Sequence, residues 1–260
     1  MGSTAVPLAT RGRRLIRQVV PASVRQRLLR TVGRTPVDPK AARRRPLRPG
    51  SPGGLRRVQV GCGPTNLLAD WWNVDIRAFP GIDEVVDATK PWPWRDLEAI
   101  YGEHFLEHLA PSEALAFAAE AARALRPGGV LRLSTPSLEH VWVTHFHPVE
   151  GRDPIEVVAE TYRSNRAFHG WGHRFLFSRP MLVHLLTAAG FTDVTIHDYG
   201  ESDRESLRGL ERHPGWEHVD GWPTVWIVEA VSPGPAAVAE RAELADEIER
   251  EFERYVRSGH

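Results

Sequence analysis

From Leu55 onward the chain alternates short apolar runs with stretches of helical period, and this alternation most narrows the folds open to it. Val58 to Val60, Trp72 to Asp75, Asp83 to Asp87, Glu98 to Gly102, Val130 to Ser134, Thr192 to Asp198 and Thr224 to Val231 read as strands. Between them, "SEALAFAAEAARAL" places Leu115, Ala118, Ala119, Ala122 and Leu125 on one helical face, and "RPGG" stops it. Ser178 can cap a helix running to Ala189, with Gly190 as its stop. Strands alternating with helices in this way predict βαβ units and a parallel sheet.

The boundaries follow from composition. Residues 55–231 form the folded body. Residues 1–54 read as a basic arm and a linker rich in Pro, Gly and Arg, and 232–260 as a charged helix. In that tail Leu244, Ile248, Phe252 and Tyr255 make one stripe, which packing on the body would cover. The net charge of zero conceals an asymmetry: residues 1–57 hold 15 Lys+Arg against one acid, Asp38. The arm is therefore strongly positive and the rest correspondingly acidic. Residues 11–34 interleave apolar pairs with arginines, and Pro21 breaks them into two short faces. This pattern can lie as an amphipathic helix on an anionic membrane surface; the other reading is a solvated arm. It carries no aromatic residue for base stacking, so nucleic acid is not an expected partner.

Cys62 is the single cysteine, so there is no internal disulfide framework, which fits a reducing cytoplasm. No apolar run approaches the roughly 20 residues needed to span a bilayer, and the N-terminus lacks the apolar core of a secretory signal. The expected location is cytoplasmic, with the arm able to hold the protein at the inner face of the membrane.

The stretch "VQVGCGPTNLLADWWNVD" puts Gly61 and Gly63 at the end of the first strand and Asp75 at the end of the second. In an open parallel sheet, ligands bind beyond these carboxyl ends. Asp87 ends the third strand and "GEH" the fourth, so two glycines, two carboxylates and an imidazole face one crevice. The dinucleotide fingerprint G-x-G-x-x-G requires a third glycine where Asn66 stands, and its acid lies about 20 residues on, beyond Asp75. Pro64 also removes a backbone donor where a pyrophosphate would need one. A ligand with ribose and adenine but no phosphate fits better, and S-adenosylmethionine is such a ligand.

In order along the chain, "VQVGCGP", "NVD", "GIDEVVDATKPWPW", "IYGEHFLEHL", "LRPGGVLRLSTP" and "LLTAAGFTDV" resemble the class I S-adenosylmethionine-dependent methyltransferases. Within them, the chain is similar to a compact bacterial subgroup associated with glycan biosynthesis. The resemblance implies a Rossmann-like sheet of seven strands, mostly parallel, with helices on both faces and the last strand antiparallel beside the fifth. It further implies cofactor contacts at Gly61, Cys62, Gly63, Asp75, Asp87 and His104. The contact at Cys62 would come through its backbone. Two departures stand out. Gln59 occupies a position where the wider family often has an acid, and only 11 residues, Gly61 to Trp71, join the first two strands, leaving room for a helix of a turn or two at most.

Residues 137–177 are long for a connection and read as an insertion folding over the cofactor's methyl group. They hold His140, His145, His147, His169 and His173, with Trp142 and Trp171, around a helical stretch from Ile155 to Arg166. Aromatic and polar residues together suit a sugar. His145 and His147 without a matched acid or cysteine are not expected to bind a metal. The expected activity is O-methylation of a sugar hydroxyl on a glycan or glycosylated small molecule, with His108 as general base and His145 and His173 as further candidates. Glu107 would either orient a histidine or face solvent. The alternatives are a methyltransferase of a phenolic or quinone-like acceptor and a non-catalytic cofactor-binding module at a membrane surface.

Overall fold

The structure, a computed structural model, describes residues 54–235 and residues 250, 251, 253 and 254. The amphipathic arm and linker lie outside the described residues. So does most of the stretch expected to form a C-terminal helix, of which Arg250, Glu251, Glu253 and Arg254 are described and helical. Among the described residues no helix is long and apolar enough to cross a membrane.

The strands are β1 (Arg57–Val60), β2 (Trp72–Asp75), β3 (Glu84–Val85), β4 (Leu97–Glu103), β5 (Leu125–Pro136), β6 (Thr192–His197), β7 (His218–Val219), β8 (Trp222–Pro223) and β9 (Val225–Val231). The helices are α1 (Pro111–Ala124), α2 (Leu138–His145), α3 (Pro154–His169) and α4 (Arg179–Ala188). Seven strands form one sheet in the order β3-β2-β1-β4-β5-β9-β6, and β7 pairs with β8 apart from it. Its first five strands are parallel, whereas β9 runs antiparallel to both β5 and β6, between which it is inserted. The expected mostly parallel seven-stranded sheet is therefore present.

Local chemistry sets the helix ends. In α1, Pro111 opens the first turn and the Glu113 carboxylate accepts the Ala110 N–H at 2.9 Å. In α4, Ser178 Oγ accepts the Met181 N–H, and Gly190 follows with φ +100°. The "RPGG" segment leaves the β4–β5 ladder, which resumes at Val130. A Cβ on Gly129 would lie 2.8 Å from the Leu97 carbonyl oxygen, so only glycine fits there.

The two faces of the sheet are built differently. On one, Val58, Val60, Ile100, Leu131, Leu133 and Val228 pack under α1 and α4, which bring Phe117, Ala118, Leu182, Leu185 and Leu186. Strand registers carry a polar row across the other: Asn73, Gln59, Tyr101, Arg132, Glu229 and Thr195 stand on successive strands. A smaller apolar cluster there includes Leu68, Trp71, Leu207 and Leu210, all from connecting segments.

The polar row anchors those segments. Gln59 donates to the Asn66 carbonyl at 2.9 Å and accepts the Leu68 N–H at 3.2 Å. Asn73 accepts the same N–H at 2.8 Å and donates to the Leu68 and Trp71 carbonyls, both at 2.9 Å. The β1–β2 segment consequently has no helix at all, only turns fixed by two side-chain amides. Gln59, where an acid is common in the family the sequence resembles, is a scaffold residue here. Further along, Arg132 is fully buried and donates to Glu211 at 2.9 Å, to Glu229 at 2.5 Å and to the Glu201 carbonyl at 2.9 Å. Two bonds of this set hold the segment after β6 against the sheet.

Candidate active site

Beyond the carboxyl ends of β1, β2, β4 and β5 lies a cavity of about 970 Å³. It sits at the upper end of the range for small-molecule sites, about 300–1,000 Å³. Gly61, Cys62, Gly63, Asp75, Asp87, His104 and His108 all line it, as do Pro136, Val141, Ala167, Trp171, His173, Arg174 and Leu176 from β5 onward. The sheet order fixes the layout: Asp75 and Asp87 stand at the β2–β3 side, the histidines at the β4–β5 side, and the glycines between.

Gly61 and Gly63 both adopt the left-handed conformation, with φ +61° and +59°. A Cβ on Gly61 would meet the Phe105 ring at 2.5 Å, so glycine is needed there for packing; one on Gly63 would meet nothing within 4 Å, so that backbone is open to a ligand. Cys62 between them is buried. Burial, then the Asp75 carboxylate, pushes its thiol up to about 12, so it is a packing residue and not a nucleophile.

Asp75 is 6% exposed and uses both oxygens: Oδ2 accepts the Gly63 N–H at 3.0 Å and Oδ1 the Arg77 N–H at 2.9 Å. Each oxygen keeps a second lone pair for a ligand hydroxyl. The acid thus shapes the glycine turn as well as facing the cavity. Asp87 lies just past β3, which is only two residues long. Its Oδ1 accepts the Thr89 hydroxyl at 2.6 Å and the Thr89 N–H at 3.0 Å, and the hydroxyl bond leads in holding this carboxyl below its ordinary value.

At the β4 side the chain is strained and polar. His104 has φ +47°, a conformation a non-glycine residue adopts at a cost, and its N–H is held by the Ser134 carbonyl at 2.9 Å. Its ring packs on that of His213, with centroids 4.7 Å apart. Glu107 is fully buried and so does not face solvent. Its Oε2 accepts the Thr135 hydroxyl at 3.1 Å, and its Oε1 stands 3.2 Å from His104 Nδ1 without hydrogen-bond alignment. Burial, the largest influence, pushes the Glu107 carboxyl upward; His104, assisted by the backbone and His108, more than offsets it and leaves the group below its ordinary value.

The insertion contributes unevenly. The Glu107 carbonyl accepts the N–H groups of Arg174 and Phe175 at 2.8 and 3.2 Å, which straps the insertion's exit to the turn after β4. As a result the rings of His108 and His173 meet edge to face, 5.3 Å apart. Trp171 stands beside His173 with centroids 5.6 Å apart, 71% exposed and under the Arg166 guanidinium. His145, at the end of α2, does not line the cavity. Nor does His147, which stands 3.0 Å from Glu160 in a cluster with Arg152. Trp142 stacks on Phe146 outside it, with centroids 4.6 Å apart.

Among the lining groups that escaped the sequence reading are Glu103, His213 and Pro214. Glu103 is buried at the end of β4, and its Oε1 accepts the N–H groups of Arg212 and His213 at 2.7 and 2.8 Å. His213 comes with that segment, and Pro214 with it. The "GEH" stretch pointed at the imidazole, and its glutamate carried the same signal. Nothing around "ERHPGW" marks His213, whose place depends on a bond spanning more than a hundred residues.

No family model matches the sequence, and no curated protein matches it. Among solved structures, the chain is similar to a possible exported protein from Bordetella parapertussis at 16% identity and a TM-score of 0.43, covering 73% of this chain and 64% of that one. It is similar to the S-adenosylmethionine-dependent methyltransferase SibL at 15% identity and a TM-score of 0.42, covering 69% and 50%. It is also similar to a SAM-dependent methyltransferase from Archaeoglobus fulgidus at 17% identity and a TM-score of 0.44, covering 68% and 86%. The chain thus spans less than two thirds of the first two proteins.

Proposed function

We propose that the chain is an S-adenosylmethionine-dependent methyltransferase whose acceptor is a sugar hydroxyl of a glycan or glycosylated small molecule. One observation carries the first part: the ends of β1, β2 and β4 and the turn after β3 present an open glycine backbone, two carboxylates and a histidine cluster to a single cavity. Asp75 and the backbone at Gly63 suit a ribose, and Asp87 lies where an adenine would follow. The methionine end then extends toward β4, and its methyl group toward His108, His173 and Trp171. For a cationic sulfonium, the nearby buried Glu103 and Glu107 provide a matching field.

The chain's own residues act mainly by alignment. Methyl transfer needs acceptor oxygen, methyl carbon and sulfur in line, and fixing that geometry supplies most of the rate. A sugar hydroxyl also has to lose its proton, which His108 and His173 would promote either as bases or by holding a cation that acidifies the hydroxyl. Trp171 offers an exposed aromatic face for a sugar's apolar side, and Arg166 above it offers donors for hydroxyls.

Calorimetric titration with S-adenosylhomocysteine tests the reading. Asp75→Ala should weaken binding roughly 10- to 150-fold, the equivalent of about 1.5–3 kcal/mol for a lost charged hydrogen-bond partner. Absence of measurable binding to the unsubstituted protein would end it.

A further inference from the structure

We propose that Glu107, His108 and His173 form a binding site for one first-row divalent transition cation at the acceptor end of the cavity. Each of the three offers a ligand atom, and these atoms lie within 4.8 Å of one another. All three residues line the cavity. Two imidazoles and a carboxylate are the protein donor set of many catalytic zinc and non-haem metal sites, which leave the remaining positions to water or substrate.

The surroundings prepare each donor. His108 Nδ1 lies 3.3 Å from the Gly172 carbonyl oxygen, and His173 Nδ1 lies 2.8 Å from the Ala167 carbonyl oxygen. A carbonyl only accepts, so each Nδ1 carries the hydrogen and each Nε2 keeps the lone pair that binds a metal. Glu107 is held through Oε2 by Thr135, while its buried Oε1 has no aligned hydrogen-bond donor and only the off-axis His104 Nδ1 at 3.2 Å beside it. A buried carboxylate oxygen in that state is costly unless a cation meets it. The strap from the Glu107 carbonyl to Arg174 and Phe175 sets the spacing between the two histidines without help from an ion. His145 and His147, which on their sequence were not expected to bind a metal, are not part of this group: His147 is engaged with Glu160.

The role of such a cation rests on the methyltransferase reading; its binding does not. Bound to the acceptor hydroxyl, the cation would lower the pKa of that oxygen and let its proton pass to solvent water near neutral pH. The oxygen then forms a bond to the methyl carbon as the carbon–sulfur bond breaks. That electron pair returns to sulfur, and the sulfonium becomes a neutral thioether. Nothing is oxidised or reduced. His108 and His173 would hold the cation, and neither would take the proton itself.

Full-length protein without an affinity tag, stripped by chelator, should take up one equivalent of Co²⁺ with visible d–d absorption, displaced by Zn²⁺. His173→Gln and Glu107→Gln should each weaken uptake by more than about 100-fold, since even groups that only orient a metal ligand are worth 10- to 100-fold. His147→Gln should leave it unchanged. S-adenosylhomocysteine titration of the same samples reports whether each variant is folded and whether the cofactor reading holds. Failure of the unsubstituted protein to take up Co²⁺ while it binds S-adenosylhomocysteine would overturn the cation site and leave His108 as a bare base. Undiminished uptake by His173→Gln would also overturn it. Stoichiometric Co²⁺ uptake lost in His173→Gln, without S-adenosylhomocysteine binding, would support the site and remove the methyltransferase reading instead.

Discussion

The sheet's two faces do different work with the same strands. Under α1 and α4 the contacts are aliphatic and aromatic, non-directional, and tolerant of small shifts. The opposite face is a polar row whose two amides and one arginine bond particular atoms of connecting segments. The first face makes the domain stable; the second decides where the loops that line the cavity stand. A ligand site needs both, because burial alone does not fix a loop to a fraction of an ångström.

Substitution can break that division. Arg132→Ala leaves Glu211 and Glu229 buried without their cation and should cost about 3–5 kcal/mol, whereas Arg132→Met, paired with apolar replacements of both acids, should recover most of it. On the apolar face, Leu185→Ala should cost about 2–5 kcal/mol. Denaturant unfolding measures both. If Arg132→Ala proved harmless, the polar face would not be a structural anchor and the contrast would fail.

A milder change sharpens the comparison. Gln59→Leu leaves the Asn66 carbonyl without its donor, and the Leu68 N–H with Asn73 alone, and should cost about 1–3 kcal/mol. Its effect on S-adenosylhomocysteine affinity should exceed that of Leu185→Ala, since Gln59 positions the segment after Gly63. Equal affinity losses in the two variants would argue that both faces act only through global stability.

The smallest expected effect concerns pH. Thr89 holds the Asp87 carboxyl below its ordinary value, so this contact adds stability above the unfolded-state pKa and loses it as pH falls through the folded-state value. Thr89→Val should therefore be less stable than the unsubstituted chain by about 0.5–1.5 kcal/mol near neutrality. The gap should close in acid. A gap that persisted below the folded-state pKa would assign the loss to packing at Thr89.

The same division explains what could be read in advance. Strand and helix periodicity follows the apolar face, and Trp72 to Asp75, the Ser178 cap and the antiparallel last strand appear where expected. Glycines and acids at strand ends were also legible, because a parallel sheet collects its strand ends at one edge. The helix allowed for between β1 and β2 is absent, since Gln59 and Asn73 satisfy that segment's backbone from the side. The length of α2 and the placement of His213 were not legible either. They depend on partners far along the chain: His145 and His173 stood alike as candidates on sequence, but the Glu107 strap brings only His173 to the cavity.

The insertion of β9 between β5 and β6 also bears on how the chain is made. During synthesis β6 emerges before β9, its only sheet neighbour among the described residues, and β5 waits with one edge uncovered. Some thirty residues later β9 fills the gap and pairs both at once. The parallel part can assemble progressively, but this side of the sheet closes in a single event once β9 has been made. A chain cut short before Val225 would carry bare strand edges with unpaired backbone groups, the kind of surface that templates aggregation. Quality control of this fold would then hinge on β9, made after the strand ends that line the cavity.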